Sequence, residues 1–334
     1  KKIKILVLGD HPFAPSGVGT QLRYIIETLL RTGNYQFVCM GGAVQHDNYE
    51  VKAVPGDDWD LGDWVIHPVD GYGNQEMVRS ALWVERPDIL MFMTDPRFYG
   101  WLWGMENEIR PHVPLVYYHV WDNYPYPKYN RGFYDSTDVI AAISKVTYDI
   151  VNNVAPEVEN HYIPHAVNHD VFKKLPEEKV EKFKEEHLGE NKDRMVFFWN
   201  NRNARRKQSG SLLFWFNDFA EEVGPDNVCL LMHTDPRDPH GPDLEHIIRD
   251  KDIEDGRIIL SKHKVPSEVL SLMYNMSDCT INISDAEGFG LATLESLSCE
   301  TPIIVNMTGG LQEQVTDGEE WFGIGIEPAS KALI

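Results

Sequence analysis

The sequence predicts an α/β protein made of two doubly wound domains. Three observations carry this expectation. Continuous apolar runs of strand length alternate with helically spaced apolar positions. The alternation occurs twice, on either side of a stretch at 161–176 that holds two prolines and no hydrophobic period. The length of 334 residues is that of about two domains. Bounds of 1–168 and 169–334 follow.

In the first half, IKILVLG (3–9) reads as a buried strand entering a glycine turn. Its short apolar run, broken by Lys4 and lacking a small-residue cleavage site, separates it from a signal peptide. Thr20 to Leu30 has apolar residues at 22, 25, 26, 29 and 30, which is helical spacing. QFVCM (36–40), DILMFM (88–93), PLVYYHV (114–120) and DVIAAIS (138–144) are continuous apolar runs that suit strands buried on both faces. WLWGMENEIRP (101–111) has the spacing of a buried helix, and a further helix is expected at 145–154. In the second half, strands are predicted at 194–200, 227–232, 257–260, 279–284 and 302–306. Helices are predicted between them at about 208–222, 242–250, 266–276, 291–299 and 310–316. Doubly wound folds bind ligands beyond the carboxyl ends of their strands, so two such domains facing across a cleft place the expected site in that cleft.

Composition narrows the function. The net charge of −21 repels polyanions and argues against a broad nucleic-acid surface. No apolar run approaches the roughly 18 residues of a membrane span. Cys39, Cys229, Cys279 and Cys299 lie far apart and match no metal or redox spacing, which fits a reducing, cytoplasmic compartment. The chain does not open on Met and reads as a trimmed or partial sequence.

The chemistry concentrates in EGFGLATLE, where Glu287 and Glu295 stand eight positions apart. Gly288 and Gly290 disfavour a helix through them by about 1 kcal/mol each, which assigns Glu287 to a loop and Glu295 to the helix after it. Backbone N–H groups opening a helix after a glycine turn form an anion site. Carboxylates beside such a site are suited to accept from hydroxyl groups, and hydroxyls on both sides of an anion describe a nucleoside-diphosphate sugar. The same spacing also fits an ordinary strand–turn–helix with surface glutamates. NNRNARRKQ (200–208) packs Arg202, Arg205, Arg206 and Lys207 after a strand, either as a diphosphate site or as a solvated turn. GDHPFAPSGVGTQ (9–21) holds Gly17 and Gly19 between strand and helix and lacks the dinucleotide fingerprint. Asp57, Asp58 and Asp60 read as loop residues, and no Asp-x-Asp is arranged to hold a metal.

Residues 287–318, EGFGLATLESLSCETPIIVNMTGGLQEQVTDG, closely resemble the retaining glycosyltransferases of family 4, the glycogen-synthase-like and mannosyltransferase-like group with the GT-B fold. Glu-x7-Glu is intact, as is the later Gly309-Gly310-x-x-Glu313. Arg202 and Lys207 match the family's Arg and Lys after the first strand of the C-terminal domain, and PSGVGTQ matches its N-terminal glycine loop. The resemblance covers nearly the whole chain in order. It implies an acceptor-side N-terminal domain and a donor-side C-terminal domain.

By the same resemblance, Glu287 would accept from a donor-sugar hydroxyl and Glu295 would bind the ribose. Arg202, Lys207 and the amides around Phe289, Gly290 and Leu291 would hold the diphosphate. Gly17 and Gly19 would let the N-terminal loop meet the phosphates. His119 would face the sugar, with a satisfied core histidine as its alternative, and Asp122 would touch acceptor or sugar. The implied reaction moves a hexose from a UDP-sugar, ahead of a GDP-sugar, to a glycan, lipid or small hydroxyl acceptor, with no metal and no cofactor beyond the donor. Two alternatives stay open: an inactive nucleotide-sugar-binding protein, and a glycosyltransferase acting on a modified nucleic-acid base. An inverting GT-B enzyme such as an epimerase is separated by product stereochemistry.

The chain also departs from the family pattern. Cys299-Glu300-Thr301 replaces Ala-x-Gly, and Ala166 and Asn168 replace the linker's Gly and Asp. The chain stops soon after the glycine pair, so the final crossover helices are expected to be missing. The tryptophans and tyrosines of the first half (Trp59, Trp64, Trp83, Trp101, Trp103, Trp121, Tyr124, Tyr126) fit a core, or stacking on sugars.

Overall fold

A computed structural model describes residues 1–121 and 126–328. They fall into two compact units, Lys1–His165 and Ala166–Ile334.

The first unit carries an eight-stranded sheet of β1 (Ile3–Asp10), β2 (Tyr35–Gly42), β3 (Lys52–Ala53), β4 (Trp64–Pro68), β5 (Ile89–Thr94), β6 (Leu115–His119), β7 (Val139–Ala142) and β8 (Glu159–Tyr162). Their spatial order is β3-β4-β2-β1-β5-β6-β7-β8. Only β3 is antiparallel to its neighbour. Leu6 of β1 lies opposite Val38 of β2 and Leu90 of β5, so the apolar runs stack side by side. Leu6, Leu8, Phe92, Trp103 and Tyr117 are buried in the core between sheet and helices. Strands β3, β4 and β8 carry no long apolar run and were not expected from periodicity. The helix Gly17–Leu30 begins before Thr20, because Ser16 caps it and accepts the Gly19 N–H at 3.1 Å. The single helix expected at 101–111 is two short ones, Gly100–Trp103 and Glu106–Ile109, with Gly104 ending the first. Leu102, Trp103 and Ile109 are buried as the spacing required.

The second unit carries β9 (Met195–Asn200), β10 (Val228–His233), β11 (Ile258–Ser261), β12 (Cys279–Asn282), β13 (Ile303–Asn306) and β14 (Gly323–Ile326). All pair in parallel in the order β11-β10-β9-β12-β13-β14. The chain builds outward in one direction from β9, then returns and builds in the other from β12. The topological switch point therefore lies between β9 and β12, where doubly wound sheets hold ligands. Strand β12 stops at Asn282, whose side-chain oxygen accepts the Ser284 N–H at 3.2 Å and turns the chain out of the sheet. The helices Gln75–Glu85 and Glu177–Leu188 were missed; the second buries only Val180 and Leu188 beneath a charged surface. All four cysteines are buried and unbridged. Among the described residues, no helix is long and apolar enough to cross a membrane.

Candidate active site

Three loops leave the carboxyl ends of the adjacent strands β9, β12 and β13, and they interlock. The Asp285 N–H donates to the Arg206 carbonyl at 2.8 Å, and Gln208 Nε2 donates to Asp285 Oδ2 at 2.6 Å. Thr308 Oγ1 donates to the Asp285 carbonyl at 3.0 Å, and the Gly310 N–H donates to the Glu287 carbonyl at 2.9 Å. Gly309 has φ +49°, and a Cβ there would stand 1.7 Å from the Glu287 carbonyl oxygen. The glycine pair is therefore required by close approach to the Glu287 loop. Gly290, at φ +92°, turns the chain into the helix Leu291–Ser298. The first-turn amides of that helix have no preceding helical carbonyl to bond.

Glu287 lies beside the Lys207 ammonium, which donates to its Oε2, while Arg206 Nη1 is 3.9 Å from the same oxygen. Both side chains of the Lys207–Glu287 pair are about nine-tenths buried, at 8% and 12% exposure. Burial works against the Glu287 carboxylate, but the Lys207 and Arg206 charges outweigh it and hold the carboxyl below its usual range. Arg206 also donates to the Ala286 carbonyl at 2.5 Å. The resemblance pairs Arg202 with Lys207 at the diphosphate; in the structure the guanidinium beside Glu287 is that of Arg206. The exposed Arg202 guanidinium is held by Asp238, at 2.6 and 3.2 Å, and by His240 Nδ1 at 2.7 Å. Asp238 and His240 belong to the loop after β10, which the sequence reading had not connected to the cationic cluster.

Glu295 sits on the helix Leu291–Ser298, where Tyr274 donates to its Oε2 at 2.7 Å. Burial pushes its carboxyl up from the ordinary 4.5 to about 7, against the opposing effect of the tyrosine bond. The sign of the linkage follows. The folded chain holds this proton more tightly than the unfolded chain, so the contribution is greatest at low pH and is lost as pH rises from about 4.5 towards about 7. Glu295→Gln is expected to remove that decline. Melting temperatures of both proteins across this window check it, and parallel curves would refute it.

In the first unit, Gly19 is buried at the start of its helix. A Cβ there would lie 2.6 Å from the His11 carbonyl oxygen, so the loop after β1 folds tightly onto the helix. Gly17 is exposed at the first helical position. Asp10 ties the loop down, accepting from Ser16 Oγ at 2.6 Å and Tyr72 Oη at 3.0 Å. His119 is fully buried at the end of β6. Its Nδ1 is 3.1 Å from Tyr117 Oη, and its Nε2 is 2.7 Å from Tyr134 Oη. Tyr117 spends its own proton on the Thr94 carbonyl at 2.6 Å. Nδ1 therefore carries the imidazole proton, and Nε2 accepts from Tyr134. Burial lowers the His119 pKa to about 3, so the ring is neutral. Both nitrogens face tyrosines rather than open space, which is the geometry of the satisfied core histidine. Asp122 and Tyr124 lie outside the described residues.

Trp64, Trp103 and Trp121 are buried, whereas Trp83 is 77% exposed. Asp58 meets Arg31 at 3.3 Å and Asp60 meets Lys2 at 3.1 Å. A polar cavity of about 230 Å³, lined by His11, His46, Asn48, Lys52 and others, opens near the carboxyl ends of β1 and β2.

Several known proteins are similar to this chain. The chain is 39% identical over 70 residues to D-inositol 3-phosphate glycosyltransferase of Thermomonospora curvata, covering 21% of this chain and 16% of that protein. It is 27% identical over 141 residues to N-acetyl-alpha-D-glucosaminyl L-malate synthase of Bacillus anthracis, covering 41% of this chain and 33% of that one. These matches thus span a third or less of the curated relatives' length. Among solved structures, sucrose-phosphate synthase from Thermosynechococcus elongatus superposes with TM-score 0.76 at 14% identity, covering 99% of this chain and 87% of that one. Anabaena HepE in complex with UDP-glucose superposes with TM-score 0.69 at 16% identity, covering 98% and 86%. These likenesses show the fold, two Rossmann-like units of the GT-B type. The family model described as glycosyl transferases group 1 matches residues 180–333. That stretch contains Arg206, Lys207, Glu287, Glu295 and the glycine pair.

Proposed function

We propose that the chain is a retaining glycosyltransferase of family 4. It moves a hexose from a nucleoside-diphosphate sugar, UDP ahead of GDP, to a hydroxyl acceptor. The convergence of three loops on Glu287 at the switch point of the second unit carries this reading. Lys207 and Arg206 are cations at that point, and the helix opening at Gly290 adds its first-turn amides. When the glycosidic bond breaks, negative charge develops on the leaving diphosphate and positive charge on the sugar ring. Lys207, Arg206 and the helix amides stabilise the first, with Arg202 joining them once it leaves Asp238. This arrangement supplies the charge compensation without a metal.

Glu287 accepts from a sugar hydroxyl, and Glu295 accepts from the ribose. Retention follows from attack on the face of departure, with the leaving phosphate taking the acceptor's proton; no carboxylate is assigned as a nucleophile. The first unit takes the acceptor. His119, with both nitrogens engaged, shapes the end of β6.

The relatives' names point to small anionic or polyol acceptors, inositol 3-phosphate and malate among them. The cavity near His11 and Lys52 has the polar character such an acceptor needs. Calorimetric titration with UDP, GDP and ADP tests the donor side and names the base. Glu295→Ala is expected to weaken the bound nucleotide about tenfold or more, and unchanged affinity would contradict its role. An α-configured product from an α-linked donor, read by NMR, tests retention.

A further inference from the structure

We propose that Tyr274 is a positioning residue that aims the Glu295 carboxylate at the ribose hydroxyls of the donor. This rests on the reading of Glu295 as the ribose acceptor and adds the element that makes the reading geometrically specific. Tyr274 lies near the end of the helix Ser267–Asn275 and is fully buried. Phe198 packs edge-on against its ring at 5.0 Å and Phe172 at 6.1 Å, which fixes the plane of the phenol. Its hydroxyl stands between two partners, the Asn200 amide nitrogen at 2.8 Å and Glu295 Oε2 at 2.7 Å.

The direction of this relay is set by counting protons. An amide nitrogen only donates, so the phenol oxygen accepts from it and the phenol's one proton is left to give. The tyrosine therefore donates to Glu295, and its oxygen accepts from the Asn200 amide. Asn200 is the last residue of β9, the central strand of the sheet at the switch point. The relay thus anchors a helix-borne carboxylate to the most central strand of the unit. Among the described residues, Glu295 Oε1 makes no hydrogen bond, so one oxygen is held while the other is left to a ligand. A glutamate with three rotatable bonds would otherwise sample several rotamers, and binding would have to select one. A carboxylate already held by one oxygen meets a pair of hydroxyls without that loss.

The test compares UDP with 2′,3′-dideoxy-UDP, which keeps base and diphosphate but lacks both ribose hydroxyls, with GDP and ADP titrated in parallel. Wild-type protein, Tyr274→Phe, Glu295→Gln and the double variant are titrated calorimetrically, with folding checked by thermal unfolding. Wild-type protein is expected to bind UDP about tenfold or more tighter than the dideoxy form. Tyr274→Phe keeps the buried ring and is expected to lose most of that discrimination, with affinity for the dideoxy form unchanged. The double variant should be no worse than Glu295→Gln alone, because the tyrosine acts only through the glutamate. Asn200→Ala, which leaves the phenol and carboxylate in contact, should lose a smaller part of the same discrimination.

Equal weakening of both nucleotides by Tyr274→Phe would show a merely structural role and overturn the proposal. So would full discrimination retained in that variant. Wild-type protein that fails to distinguish the two nucleotides, or that binds none of the three diphosphates, would overturn the ribose reading itself, and the proposal with it.

Discussion

Gly309→Ala is expected to remove nucleoside-diphosphate binding and to destabilise the second unit by about 2–4 kcal/mol. Two causes add. The backbone is left-handed at φ +49°, and a Cβ would stand 1.7 Å from the Glu287 carbonyl oxygen. The atoms nearest that carbon are all main-chain atoms of Glu287 and cannot swing aside, so the loop carrying Glu287 must move. That motion breaks the bond from the Gly310 amide to Glu287 and carries the Glu287 carboxylate away from Lys207. Gly33→Ala is the control, because Gly33 has φ +73° and nothing within 4 Å of the added carbon. It should cost only about 1 kcal/mol of strain and leave binding intact. Thermal unfolding and calorimetry read both variants. A Gly309→Ala protein that binds UDP normally would mean the glycine pair does not hold the Glu287 loop.

Lys207→Met should cost about 3–5 kcal/mol of stability and lower kcat by about 10²–10³. The first effect arises because Glu287 is nearly buried, and removing the ammonium leaves its charge with only the more distant Arg206. The second follows from the proposed role of the same ammonium in meeting the charge on the leaving phosphate. The two effects separate in a double variant. Lys207→Met with Glu287→Gln has no orphaned charge, so stability should largely return while kcat stays low. Recovery of kcat with stability would mean that Lys207 serves only to hold Glu287. Loss of neither would remove Lys207 from the site.

Much of this arrangement was legible in the sequence because of where the motifs fall. Apolar runs such as RMVFFW and CTINI mark strands, so the residues after them lie at carboxyl ends, where doubly wound sheets bind ligands. That put Lys207 and the loop of Glu287 and Gly290 at strand ends, whereas the glycine pair was singled out only by the family resemblance. Spacing could not say which guanidinium would reach Glu287. That choice depends on Asp238 and His240, whose loop follows a different strand and draws Arg202 away. The polar strand ENHY and the glycine-rich strand GIGI escaped notice because neither has an apolar run, and both lie at sheet edges where burial on two faces is not required. His119 illustrates a different limit. Aromatic neighbours in LVYYHVWDN fitted either a binding wall or a core, and only the directions of the Tyr117 and Tyr134 hydroxyls distinguish them.

The order in which the interlocked loops leave the ribosome has a consequence for biosynthesis. Lys207 and Gly309 are 102 positions apart in the chain, with Glu287 between them. At about 5–20 residues per second, the cationic loop is synthesised some 5–20 s before the glycine pair that locks Glu287 against it. β10 and β11 are made within that interval, and between Ser261 and Cys279 the chain has β9, β10 and β11 but not yet β12, which forms the other side of the switch point. A nascent chain paused there has half a sheet and a cationic loop that lacks Glu287, with the edge of its central strand open. The interlock of the three loops thus forms only with the last third of the second unit, and the proposed nucleotide site cannot exist on a chain released before it.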